Sequence, residues 1–143
     1  MSTTYADIRA AIVARISANL ASINAGWSAT ADVAWPNVKV NFTGKATFMI
    51  VEINYTGGRQ GAIGNLRRID GTLTLEFHAR MGEGTDGLMT WVDAARDLFP
   101  AGQAVAAGAD NILFKEPIAG PIAEGFDGYA AIELSCPFYL FTS

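Results

Sequence analysis

The chain has 143 residues, a length typical of one domain that buries roughly two-thirds of its unfolded surface without disulfide or metal staples. Half of the residues are hydrophobic and 17% are charged, so there is more apolar surface than one small core needs, and we expect self-association. The net charge of −4 argues against broad nucleic-acid binding, and the single cysteine, Cys136, excludes an intrachain disulfide and a zinc site built on several thiolates.

The N-terminal residues lack the basic and apolar regions of a secretory signal, and no apolar run reaches the length of a membrane span. We therefore expect a reducing, intracellular compartment and no membrane association. Two sequons, at Asn41 and Asn54, carry little weight because glycosylation requires a secretory route.

Helical spacing of apolar residues predicts a first helix over residues 4–23, with Ile8, Ile12, Ile16 and Leu20 on its buried stripe. Thr3 or Thr4 can supply the N-cap oxygen. Trp27 and Trp35 follow, and we expect both indoles to fill edges of the core. Alternation of Val38, Val40 and Phe42 with polar residues then predicts a short edge strand, which ends at a turn at Gly44-Lys45.

The central feature of the chain is a predicted long hairpin over residues 46–82. Its first strand has apolar residues on both faces near its start, which predicts a place in the middle of a sheet or against a neighbouring chain. Its second strand has alternating faces, one apolar (Leu73, Leu75, Phe77, Ala79, Met81) and one polar (Thr72, Thr74, Glu76, His78, Arg80). Between the strands, residues 56–68 predict a glycine-rich loop, too long for a tight turn and therefore functional or disordered.

The remaining elements are a second helix from Leu88 to Phe99 with an N-cap at Thr85, a small-residue linker over 103–111, a short strand at 112–115 and a mobile surface segment over 116–128. A C-terminal strand covers residues 129–141, and Pro137 predicts an edge or a bulge at its far end because proline donates no hydrogen bond. Together these elements predict an α+β fold over residues 1–143: one domain with a largely antiparallel sheet, two helices packed on one face and a long glycine-rich hairpin loop.

The sequence carries no recognisable catalytic pattern. His78, the single histidine, shares the polar strand face with Glu76, and Glu52 could lie across the sheet from them. A Glu-His-Glu group of this kind could act as an acid/base site, but a solvated or interfacial polar face explains the same residues. Asp93 and Asp97 share a helix face without a third ligand, and the glycine-rich loop fails the phosphate-binding motifs. We therefore predict no cofactor, no metal site and no enzymatic activity.

The glycine-rich loop is instead predicted to be a subunit or partner interface. Ordering so many glycines is entropically costly, so a partner must supply the contacts. Arginine forks bind carboxylates with directional hydrogen bonds, and acidic residues occur elsewhere at Glu83, Asp86, Asp93 and Asp97. Complementary patches of this kind favour head-to-tail contacts between identical subunits. The predicted interface residues are Arg59, Gln60, Ile63, Leu66, Arg67 and Arg68.

The order of these motifs resembles the small tail terminator, or tail completion, proteins of long-tailed bacteriophages and related prophages. The resemblance spans most of the chain. It rests on the N-terminal helix with Tyr5-Ala6-Asp7-Ile8-Arg9, Trp35-Pro36-Asn37, the strand to Tyr55, the glycine-rich loop into Leu66-Arg67-Arg68, Gly71-Thr72-Leu73, the helix from Leu88 to Phe99, Phe114-Lys115-Glu116-Pro117 and the C-terminal strand.

This resemblance implies a structural, non-enzymatic virion protein. Its subunits would form a six-membered ring on the head-proximal end of the tail tube, stop tube polymerisation and meet the head connector. The implied location is the tail of the virion, assembled in the host cytoplasm. DNA could pass through the ring without sequence-specific binding. A head–tail joining protein or the tube protein fits nearly as well, and a small enzyme or ligand-binding domain using the Glu52, Glu76 and His78 face is the alternative of another class.

Overall fold

The computed structural model describes residues 2–60, 66–82, 86–124 and 128–142. In this part of the chain, three α-helices accompany a curled sheet of eight strands, in which every pair except β1 with β2 is antiparallel. The mixed architecture with a mostly antiparallel sheet agrees with the predicted α+β class.

Two helices form the N-terminal part, α1 (Tyr5–Ala18) and α2 (Leu20–Ile23). The predicted single helix over 4–23 is therefore interrupted at Asn19, whose side-chain amide donates to the Arg15 carbonyl at 2.8 Å. A capping box starts α1, because the Thr4 hydroxyl accepts from the Asp7 N–H and the Asp7 carboxylate accepts from the Thr4 N–H. The predicted apolar stripe is buried along both helices.

Helix α3 (Gly87–Leu98) matches the predicted second helix to within one residue at either end. Leu88, Trp91, Val92 and Ala95 are buried, as their 3.6-residue spacing predicts. The predicted N-cap, Thr85, lies outside the described residues, and Asp86 occupies the N-cap position without a side-chain capping bond.

The strands follow the order β1-β2-β3-β8-β5-β4, and β6 and β7 pair with β8 on the edge that β5 also uses. Three strands of 14 residues, β2, β3 and β8, form the centre of the sheet. The strand bounds are β1 Val33–Ala34, β2 Thr47–Gln60, β3 Arg67–Arg80, β4 Ala104–Ala107, β5 Asp110–Phe114, β6 Ile118–Ala119, β7 Ala123–Glu124 and β8 Tyr129–Thr142.

Side chains from the helices and from the inner face of the central strands form one buried cluster. Its aromatic part joins Trp27, Phe77 and Trp91, with ring centroids 4.9 to 6.5 Å apart. Trp27 is 9% exposed and Trp35 packs against the cluster, so the prediction that both indoles fill edges of the core is confirmed. Each indole N–H also has an acceptor, the Thr47 hydroxyl for Trp27 and the Ala29 carbonyl for Trp35.

The predicted edge strand at 38–42 is wrong, since residues 37–46 form no strand. The short strand β1 lies beside β2 instead, in parallel register with Met49 and Ile50. Phe42 stacks on Phe48 at 4.0 Å between ring centroids, and Val38 is 47% exposed. In this segment, the alternation of apolar and polar residues therefore does not reflect a strand, and Phe42 packs as a single aromatic side chain on Phe48.

The predicted linker over 103–111 is also wrong, because it contains β4 and the turn into β5. Val105 and Ala107 point inward and alternate with exposed alanines, a pattern that uniformly small residues conceal. Gly108, with φ of +57°, makes the turn. Part of the predicted surface segment over 116–128 likewise pairs with β8, as β6 and β7.

Strand β8 is central to the sheet, so the prediction that Pro137 marks an edge or a bulge is wrong. The Pro137 carbonyl accepts from the Lys115 N–H at 2.9 Å, which places the backbone polar groups of this residue on the β5 side. Strand β5 ends at Phe114 and β6 begins at Ile118, so the absent N–H of Pro137 falls at a gap between the two partner strands. The ladder to β3 stays continuous there.

The predicted 56–68 loop is shorter than expected. Strand pairing continues past Tyr55 through a register shift at Thr56 and then joins Arg59 to Arg68 and Gln60 to Arg67. Gly57, with φ of +121°, adopts a backbone conformation at this bulge that other residues rarely reach. The connection between the strands reduces to 61–66, of which 61–65 lie outside the described residues.

Candidate interaction surface

We name the side of β2, β3 and β8 that carries Glu52, Glu76 and Glu133 the outer face. Glu76 and Glu133 are direct cross-strand partners, and Glu52 lies opposite Thr74 on the next strand. Burial raises the pKa of Glu76, and the carboxylates of Glu52 and Glu133 raise this pKa further. Like charges placed opposite each other weaken a sheet. The carboxylates of Glu52, Glu76 and Glu133 therefore disfavour one another, and a cation placed among them would relieve this repulsion.

His78 lies on the outer face but is only 2% exposed, so the polar face that the sequence predicted as solvated or interfacial does not expose this ring to solvent. Its ring stacks on Phe48 at 4.6 Å, and Phe48 in turn stacks on Phe42. Phe42, from the segment predicted to form an edge strand, thus contacts the ring that covers His78. Burial lowers the pKa of His78 to about 4, and its Nε2 lies 3.5 Å from a Glu76 carboxylate oxygen. Glu52, Glu76 and His78 do share this face, as the acid/base alternative required, but the imidazole is shielded from solvent.

A groove of about 400 Å³ crosses the outer face beside β6 and β7. Three carboxylates line it, from Glu76, Glu124 and Glu133, and Ile118 at its margin is 62% exposed. The Gly120 N–H donates to the Glu133 carbonyl at 2.8 Å and holds the β6–β7 segment against β8. The sequence did not predict this groove, because only the pairing of β6 and β7 with β8 creates it.

The end of the β2–β3 hairpin carries the predicted interface residues, and we call Leu66 and Arg67 there the hairpin end. Leu66 is 42% exposed and Arg67 is exposed as well. Arg68 is engaged within its own chain: its Nε donates to Asp70 at 2.8 Å, and its guanidinium lies 4.5 Å from the centre of the Tyr139 ring. Ile63 and the side chains of Arg59 and Gln60 lie outside the described residues.

Among the described residues, most of the β2 edge that faces away from β3 has no strand partner. Beyond Ile50, no strand in the described ranges pairs with this edge, so Val51–Gln60 is hydrogen-bonded to β3 alone. The Met49 N–H donates outward to the Asp32 carbonyl at 2.9 Å, and strand alternation turns the N–H groups of Val51 and Ile53 to the same side. An exposed pair of tyrosines, Tyr5 and Tyr55, lies beside this edge with ring centroids 4.5 Å apart.

The remaining candidate residues give weaker indications of a functional site. Within the described residues, no cluster of three or more His, Cys, Asp or Glu side chains could hold a metal ion. Asp93 and Asp97 line a cavity of about 330 Å³ beside the ion pair of Arg96 with Glu116, whereas Glu83 lies outside the described part. Cys136 is fully buried, and burial raises the pKa of its thiol to about 12, as expected for an inert core cysteine. No described helix has both the length and the apolar character needed to cross a membrane.

The fold itself is shared with proteins of known structure. No family model and no curated protein matches the chain. One solved structure, of a protein whose name describes no function, aligns with a TM-score of 0.76 at 19% identity and covers 96% of this chain and 95% of its own. At this identity the likeness shows a common fold and carries no function across.

Proposed function

We propose that the chain is a tail terminator subunit, which forms a ring on the tail tube of a long-tailed bacteriophage, stops tube growth and joins the tube to the head connector. The motif order described above supports this proposal, and the open edge of β2 is the structural observation that carries it. Both point to a protein that acts by assembling with copies of itself.

An open sheet edge presents a row of backbone N–H and C=O groups that a further strand can pair with. Proteins that remain monomeric protect such edges with lysine, proline or very short strands. From Val51 to Tyr55 the β2 edge has no lysine and no proline, and Glu52 is its single charged residue. The exposed Tyr5 and Tyr55 rings add apolar area beside it. A strand of a neighbouring subunit satisfies these groups.

In this assembly the two long helices cover one face of the sheet, and the glycine-rich hairpin connection serves as an assembly element. The outer face and the hairpin end are left to other subunits, the tube protein and the connector. Six copies close the ring, and DNA passes through it without sequence-specific contacts. The protein resides in the virion tail after assembly in the host cytoplasm, without a membrane, cofactor or enzymatic step.

The mass of the purified assembly tests the proposal. Light scattering coupled to size exclusion should give one closed species of six times 15.2 kDa, about 91 kDa, over a wide range of concentrations. Added to growing tail tubes, this species should stop elongation. Open-ended polymers would identify a tube protein, and rings that leave elongation unchanged would favour a head–tail joining protein. A persistent monomer would contradict ring formation and favour a ligand-binding domain or enzyme using Glu52, Glu76 and His78.

The role of the β2 edge can be tested by comparing Ile53→Pro with Ile53→Ala. Both variants lose the partly buried isoleucine side chain, but only proline removes an N–H that points away from β3. We expect Ile53→Ala to form rings and Ile53→Pro to remain largely monomeric with a folded far-UV spectrum. Equal ring formation by the two variants would show that the β2 edge is not the subunit contact.

A further inference from the structure

We propose that the groove on the outer face receives the hairpin end of a second copy, with Arg67 of one subunit bound by Glu124 and Glu133 of the next and with Leu66 against Ile118. The inference rests on the proposed function, since it assigns to the ring a particular contact between neighbouring subunits.

The groove specifies the chemistry of its occupant. It contains three carboxylates and no lysine or arginine among its lining residues, so it favours a cation. Ile118 and Ile122, which are 62% and 52% exposed, add an apolar margin that a purely ionic ligand would leave in water. An arginine next to a large apolar residue meets both requirements.

The hairpin end has this composition. Leu66 and Arg67 are adjacent and exposed at the end of the β2–β3 ladder. Arg68 is held by Asp70 and Tyr139 of its own chain, which leaves Arg67 as the better placed of the two arginines to reach a partner. A guanidinium fork can bind two carboxylate groups with directional hydrogen bonds.

The contact has to form between subunits. Arg67 pairs with Thr142, whereas Glu133 pairs with Glu76, nine residues farther along β3. At about 3.3 Å per residue this separation is roughly 30 Å, well beyond the reach of an arginine side chain. Because the hairpin end and the groove are different surfaces, each copy uses one surface toward each neighbour. Such a head-to-tail contact can repeat until a ring closes.

A charge-swap experiment tests this contact. Arg67→Glu and Glu133→Arg should each lower the association constant of the subunits at least about tenfold, and the double variant in one chain should recover most of the loss. Glu133→Arg also relieves the repulsion on Glu76, so its loss of assembly would not reflect a weaker fold. The matched control is Lys39→Glu, which changes an exposed charge away from both surfaces and should assemble like the parent. Asp93→Arg tests the acidic helix residues that the sequence also offered to the arginines, and a loss of assembly in this variant would overturn the groove as the acidic partner.

Cross-linking gives a second readout. Because Cys136 is buried, single cysteines introduced at Arg67 and at Glu133 should be the reactive thiols. A mixture of Arg67→Cys and Glu133→Cys proteins should form an intersubunit disulfide, and Arg67→Cys mixed with Asp93→Cys should not. Rings that survive both charge reversals, without rescue or cross-linking, would overturn this contact and leave the proposed function standing. A parent protein that stays monomeric would overturn both.

Discussion

His78 is the residue whose environment differs most from its sequence context. Glu76 and Arg80, its neighbours on the same face of β3, are polar, but the ring stacks on Phe48 and is nearly inaccessible to water. Burial disfavours the imidazolium, so the pKa falls to about 4 from an ordinary value of 6.5. This histidine is therefore neutral at physiological pH and serves as a packing residue within a polar strand face.

Acid should destabilise the fold through His78. Its pKa is lower in the folded state, so the unfolded chain takes up the proton first, and the free energy of unfolding should fall as the pH drops from 6.5 to 4. A pKa shift of this size corresponds to a loss of about 3 kcal/mol in the free energy of unfolding at pH 4. Urea titrations of the parent and of His78→Phe, which keeps the aromatic stack, should diverge over this range.

The same comparison cancels the contributions of titrating groups that do not contact His78, whereas Glu76 lies 3.5 Å from the imidazole and its contribution is distinguished by its sign. Burial and the carboxylates of Glu52 and Glu133 raise the pKa of Glu76, so its contribution runs in the opposite direction and lowers stability as the pH rises past its unfolded value. Parallel pH profiles for the parent and His78→Phe would show that the pKa of His78 is the same in the folded and the unfolded chain and would contradict this prediction.

At the scale of elements, helix α1 depends on its first turn. The Thr4 hydroxyl accepts from the Asp7 N–H at 3.1 Å, and the Asp7 carboxylate accepts from the Thr4 N–H at 2.8 Å. These two bonds satisfy donors that a helix start otherwise leaves unpaired. Helix α1 contributes Ile8, Ile12 and Ile16 to the core, so weakening its start affects the whole fold.

Thr4→Ala should therefore lower the free energy of unfolding by about 1 kcal/mol, the usual effect of losing an N-cap oxygen. Thr4→Ser retains the hydroxyl and should stay within about 0.5 kcal/mol of the parent. Denaturant titration measures both values. A similar loss in the two variants would assign the effect to the threonine methyl group rather than to the capping box.

For the whole molecule, the decisive feature is that one buried cluster joins all three helices to the central strands. Phe138 in β8 is 1% exposed, and its ring lies 5.7 Å from Phe114 and 6.3 Å from Tyr55. It thus links three strands of the sheet. A single cluster of this kind predicts a single cooperative unfolding transition.

Phe138→Ala should lower the free energy of unfolding by roughly 3–5 kcal/mol, which is large against the roughly 5–15 kcal/mol of an ordinary domain. Within each protein, circular dichroism and tryptophan fluorescence should give the same transition midpoint as each other, because the indoles and the sheet share one core. Phe141→Leu, at a residue 43% exposed on the same strand, is the control and should change little. Separate midpoints from the two probes would contradict a single core.

The sequence by itself determined the strongly periodic elements, namely α1, α3, β3 and β8 with their buried faces. In these stretches the apolar period is long enough to specify both the element and its orientation. Trp91 in α3 and Cys136 in β8 lie on these apolar faces and are buried. The acid-rich strand face was also visible in the pattern, since strand alternation alone separates the polar side from the core. Leu66 and Arg67 belonged to the predicted glycine-rich loop, and both are exposed.

Only the tertiary structure decided which strands are neighbours. The pairing of β6 and β7 with β8 creates the groove, and the gap between β5 and β6 admits Pro137 into a central strand. The register that sets Glu76 against Glu133 and the aromatic stack that buries His78 depend on the same contacts. These features come from residues far apart in the chain, whose meeting depends on the free energy of the whole packed core and leaves no local periodic signal.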